Sequence, residues 1–99
     1  MKYYHAAPKE TMIKIYREGV IKKSWDGMVY LCKEAVDACK FLAVRGMKEM
    51  SVIEVELEET EVAESHDHNE AFFKCKAYMH NGDIKLTGNE DIWDYSFNL

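Results

Sequence analysis

Ninety-nine residues, 47% of them hydrophobic and 31% charged, carry too much apolar material for a disordered polymer and enough for one core. A chain of this size buries roughly 60–70% of its unfolded surface, so a single domain over residues 1–99 needs no disulfide or metal staple. Thirteen Lys and Arg against eighteen Asp and Glu leave a formal charge of −5, which weighs against broad nucleic-acid binding because a phosphate-binding surface needs positive potential.

The charge is unevenly spread. Basic residues from Lys2 to Lys48 crowd the first half, and the acids at 54–70 and 83–94 dominate the second, a pattern that still permits a local basic cleft. Cys32, Cys39 and Cys75 are an odd number with no CxxC pair, which reads as small buried core residues rather than a zinc site or a disulfide framework. The opening residues lack an apolar leader, and no stretch approaches the length of a membrane span. A reduced cytoplasmic setting is the expectation.

In chain order, residues 2–6 read as an aromatic-rich strand. Pro8 suits the first turn of a helix, Gly19 suits its left-handed C-cap, and Met12, Ile13, Ile15, Tyr16 and Val20 recur at helical spacing between them. Ser24-Trp25-Asp26-Gly27 is turn chemistry before a buried-looking strand over 28–32. A second helix is expected over 34–45, closed by Gly46, with Ala35, Ala38, Cys39 and Leu42 as its core stripe and Phe41 beside it. Residues 52–57 alternate apolar and acidic, the pattern of a half-buried strand. Residues 58–70 are polar and irregular, and 72–80 return to strand character before the Asn81-Gly82 turn. Segments 83–86 and 91–97 are the closing strands, with a Thr87-Gly88-Asn89 turn between them. The fold class is therefore α+β, an antiparallel-rich sheet with two helices. Trp25 and Trp93 are both expected at core edges.

Four pieces of this order resemble the ADP-ribosyltransferase superfamily of split-sheet folds. They are Tyr4-His5-Ala6-Ala7 with the helix ending at Glu18-Gly19-Val20; Met28-Val29-Tyr30-Leu31-Cys32 with Glu34-Ala35 and Phe41-Leu42; Val52-Ile53-Glu54-Val55-Glu56-Leu57; and Ala77-Tyr78 with Gly82-Asp83-Ile84. The likeness is to the histidine-type branch, to RNA 2′-phosphotransferases and to DarT-like DNA-modifying proteins, and the chain resembles a minimal phage or bacterial member. It implies NAD as substrate, with His5 on a ribose and Tyr30 against the nicotinamide.

The resemblance also implies a glutamate late in the sheet. Asn69-Glu70 resembles the start of the catalytic strand, but Ala71-Phe72-Phe73 follows; counting back from Tyr78 and Gly82 reaches Phe73, Lys74, Cys75 or Lys76, none a carboxylate. Glu70 is thus the candidate for the acid. Two functions stay open: an ADP-ribosyltransferase, or a non-catalytic module on the same fold that binds a nucleotide or a protein, as a small phage-type effector would.

The polar cluster Ser65-His66-Asp67-His68-Asn69 leads into that strand. Ser65, His68 and Asn69 are assigned with His5 and Tyr30 to one nucleotide cleft, since functional residues concentrate on such loops. His66 and His68 lack a metal-ligand spacing, so no metal is assigned.

Overall fold

A computed structural model of the chain describes residues 1–65 and 76–97. Strand β1 (Lys2–Ala7) leads into helix α1 (Lys9–Glu18). Pro8 stands at the N-cap, its ψ of 149° still extended, and its carbonyl accepts the Met12 N–H at 2.9 Å. Gly19 ends the helix at φ 71°, a left-handed value that favours glycine, and donates its N–H to the Ile15 carbonyl.

Met12 and Ile15 of α1 are buried, whereas Ile13 and Tyr16 are 55% and 72% exposed. The core takes up a narrow stripe of the helix, and the flanking apolar residues are left in solvent.

Short β2 (Val20–Ile21) precedes β3 (Met28–Leu31) and helix α2 (Ala35–Ala43). The second helix is shorter than its apolar pattern implies. Glu34 is still extended at its start, and the Arg45 N–H closes a tight turn on the Leu42 carbonyl at its end.

Strand β4 (Glu49–Glu56) is followed by a 3₁₀ turn at Glu59–Glu61 and by β5 (Val62–Ser65), a strand the polar composition of that segment conceals. Strands β6 (Ala77–Asn81), β7 (Ile84–Lys85) and β8 (Ile92–Ser96) close the described chain.

All pairings are antiparallel. The sheets run β1-β4-β8 and β3-β6-β5, with the small pair β2-β7 beside them. The two larger sheets meet at one bridge, where Tyr4 and Cys32 exchange both backbone hydrogen bonds at 2.8 and 2.9 Å.

Strand β4 departs from the half-buried reading because it has a core on each face. Ile53 and Val55 join Tyr3, Met12, Ile15, Val29 and Leu31 on the α1 side. Met50 and Val52 join Cys39, Tyr4 and Leu42 on the α2 side. Two of its acids are absorbed by partners: Glu54 accepts from the Tyr4 hydroxyl at 2.9 Å, and Glu56 pairs with the amino terminus at 2.8 Å.

Cys32 and Cys39 are buried, and burial pushes the Cys39 thiol up to about 11. Cys75 lies outside the described residues. No helix among the described residues is long and apolar enough to cross a membrane.

Candidate functional site

The bridge between Tyr4 and Cys32 is where β1 and β3 part company. In an antiparallel ladder every second residue turns its N–H and C=O to the same neighbour. Tyr4 turns both groups toward Cys32, so Ala6 turns its own toward Tyr30, the next pair along. Among the described residues the ladder does not continue to that pair: β1 pairs with β4, β3 pairs with β6, and Tyr4–Cys32 is the bridge between the two. The Tyr30 carbonyl instead lies 2.9 Å from His5 Nδ1. The imidazole therefore takes the place of a ladder hydrogen bond at the point where the sheet splits.

A carbonyl can only accept, so this bond fixes the histidine tautomer. Nδ1 carries the proton, and in the neutral ring Nε2 is left as an acceptor. His5 is partly buried, and burial holds its pKa below the ordinary 6.5, against the smaller opposing effect of the Tyr30 carbonyl. At neutral pH the ring is uncharged.

The opening forms a cleft of about 200 Å³. His5, Ala6 and Tyr30 line it, with Ala38, Phe41 and Arg45 from the α2 side. Ser24 contributes from the turn before β3. Tyr30 is held by its own hydroxyl, which donates to Asp26, so its ring is positioned at both ends of the side chain. Arg45 is exposed and forms no ion pair among the described residues.

Of the residues assigned from sequence, His5 and Tyr30 come together in this cleft. Ser65 stands at the end of β5 opposite Ala77, itself a cleft residue. His68, Asn69 and Glu70, and with them His66 and Asp67, lie outside the described residues. Their convergence with His5 is therefore not among the described geometry. His80 donates from Nδ1 to the Gly82 carbonyl at 3.0 Å. Among the described residues no three metal-ligating side chains gather.

Sequence reasoning missed Ala6 and Arg45. The signal for Ala6 is strand parity, which becomes legible only once Tyr4 is known to bridge. The signal for Arg45 is a cation in the turn that follows α2, one residue before Gly46.

No protein-family model, curated protein or solved structure matches the chain.

Proposed function

We propose that the cleft between β1 and β3 binds NAD or a related nucleotide, and that the chain is an ADP-ribosyltransferase-like protein. The observation that carries this reading is the edge of β1 at Ala6. A strand residue turned to a gap offers one donor and one acceptor side by side, the complement of a primary carboxamide such as that of nicotinamide. Beside it stand the aromatic ring of Tyr30, suited to a flat cationic heterocycle, and His5, whose Nε2 can accept from a ribose hydroxyl. The resemblance of residues 4–7 and 28–32 to the transferase superfamily points to the same ligand.

The acid is the open element of the reading. Transfer of ADP-ribose needs a carboxylate to stabilise the developing oxocarbenium charge, and Glu70 is the candidate. Without it, the same cleft serves a binding module, the second reading, which the departures around Phe73 to Lys76 favour.

Calorimetric titration of the full chain with NAD tests the binding claim. Binding that His5→Ala weakens by roughly 0.5–1.5 kcal/mol is the expected result. Labelled NAD incubated with cell extract then separates the readings, since transfer lost in Glu70→Gln assigns an enzyme and binding without transfer assigns a module. The absence of any NAD binding at millimolar concentration overturns both nucleotide readings.

A further inference from the structure

Trp25 is 98% exposed, against the core-edge packing its sequence context suggests. An indole is among the largest apolar side chains a fold can bury, and leaving it wholly in water forgoes that stabilisation. Looseness of the turn does not explain it. The Lys23 N–H is bound to Asp83 Oδ1 at 2.8 Å, and the Ser24 N–H to the Met28 carbonyl at 2.8 Å. The Gly27 N–H closes the turn on the Ser24 carbonyl at 2.9 Å, and the Met28 N–H reaches Asp26 Oδ1 at 3.1 Å. The Gly82 N–H donates to the Gly27 carbonyl from the neighbouring turn. Trp25 is thus presented by a fixed backbone, and any polar residue would complete the turn equally well.

The turn is also part of the cleft wall. Ser24 lines the cleft, and Asp26 accepts from the hydroxyl of Tyr30, which lines it too. Trp25 follows Ser24 directly in the chain, so its backbone adjoins the rim of the cleft, while its side chain is not one of the lining groups.

The size of the cleft says what should lie at that rim. Pockets that enclose a drug-sized ligand run to about 300–1,000 Å³, whereas this one holds about 200 Å³. It admits one heterocycle with part of its sugar. The remainder of a dinucleotide, two phosphates and a second nucleoside, must lie outside. Arg45, exposed and without an ion pair among the described residues, borders the same opening and suits the phosphates.

We propose that Trp25 is the stacking platform for the second ring of a dinucleotide whose first ring occupies the cleft. The inference rests on the nucleotide reading and deepens it. The ligand is a dinucleotide with two separable aromatic ends, one read by hydrogen bonds at Ala6 and His5, the other held by stacking on a pre-ordered indole, which lowers the ordering cost of binding.

The experiment uses the full chain carrying Trp93→Phe, so that Trp25 is the sole indole. Trp93 packs edge-on against Tyr4, and phenylalanine keeps an aromatic ring there. NAD, nicotinamide mononucleotide and AMP are titrated while indole fluorescence and the His5 and Ala6 NMR signals are followed. NAD and AMP should quench the indole, and the mononucleotide of nicotinamide should shift His5 and Ala6 without quenching. Trp25→Ala should weaken NAD by about tenfold or more and leave nicotinamide mononucleotide unchanged, with Trp25→Phe between. If Trp25→Ala leaves NAD binding intact while NAD still shifts His5 and Ala6, the platform is overturned and the nucleotide reading stands. Equal weakening of both ligands also overturns the platform. No response to NAD at any of the three residues overturns both.

Discussion

The two edges of β1 show the same backbone put to different uses. Toward β4 it runs in unbroken register from Lys2↔Glu56 to Ala7↔Ser51, and its polar groups on that side are consumed by structure. Toward β3 it makes one bridge, at Tyr4, and then diverges. Two residues beyond that bridge, the strand offers Ala6 to a cleft and spends a histidine side chain on the Tyr30 carbonyl. On the proposed reading, stability and recognition are separated across the width of one strand, and substitutions on the two edges should have different consequences.

The largest effect belongs to the closed edge. Ile53 is fully buried opposite His5 in the ladder, and Ile53→Ala should cost about 2–5 kcal/mol in urea unfolding through lost transfer energy and a cavity. Near-native stability in that variant would break the division between the edges.

Tyr4→Phe removes the hydroxyl bond to Glu54 at 2.9 Å while keeping the ring against Trp93. A loss of about 0.5–1.5 kcal/mol is expected. Because this hydroxyl serves the α2-side core and not the cleft, NAD affinity should be unchanged at temperatures where the variant is folded.

His5 sharpens the comparison through pH. Its folded pKa is held below the unfolded value near 6.5 by burial, so the unfolded chain binds the proton first. The stabilisation from keeping the ring neutral is fully present above 6.5 and is lost as pH falls from there toward the folded pKa. Urea unfolding from pH 8 to pH 5 should show wild type losing stability relative to His5→Ala as pH falls. A constant difference across that range would mean the imidazole is not held neutral.

Trp25→Ala is the smallest perturbation to the fold. With the side chain in solvent, stability should stay within about 0.5 kcal/mol of wild type, measured in the same urea series. A large loss would mean the indole packs, and the rim would then be closed.

The fold was legible where local chemistry decides it. Gly19 ends α1 because its left-handed φ is the one residues with a Cβ avoid, and the alternation at 52–57 marks a strand whatever lies around it. Its two-faced burial was not legible, because that depends on α1 and α2 settling on opposite sides of β4. The exposure of Ile13, Tyr16 and Trp25 was hidden for the same reason, since hydrophobicity says what could be buried and not whether a neighbour arrives to cover it. β5 was missed because Glu64 and Ser65 look like loop residues when the pairing partner Tyr78–Ala77 is unknown. Within the candidate site, His5 and Tyr30 were found through resemblance, whereas Ala6 could be found only from ladder parity, since an alanine advertises no chemistry in a sequence.

The central claim is that the opened edge of β1, at Ala6, receives an amide-bearing ligand. It is tested most directly by recording the Ala6 amide proton and the His5 ring nitrogens by NMR during titration with NAD and with nicotinamide. The account predicts a downfield, saturating shift of the Ala6 amide with both ligands, and a response at His5 Nε2 with NAD, which brings the ribose, at a pH above 7. Saturable shifts confined to residues on the β4 or β8 side, or an Ala6 amide that stays in place while NAD binds elsewhere, would contradict it.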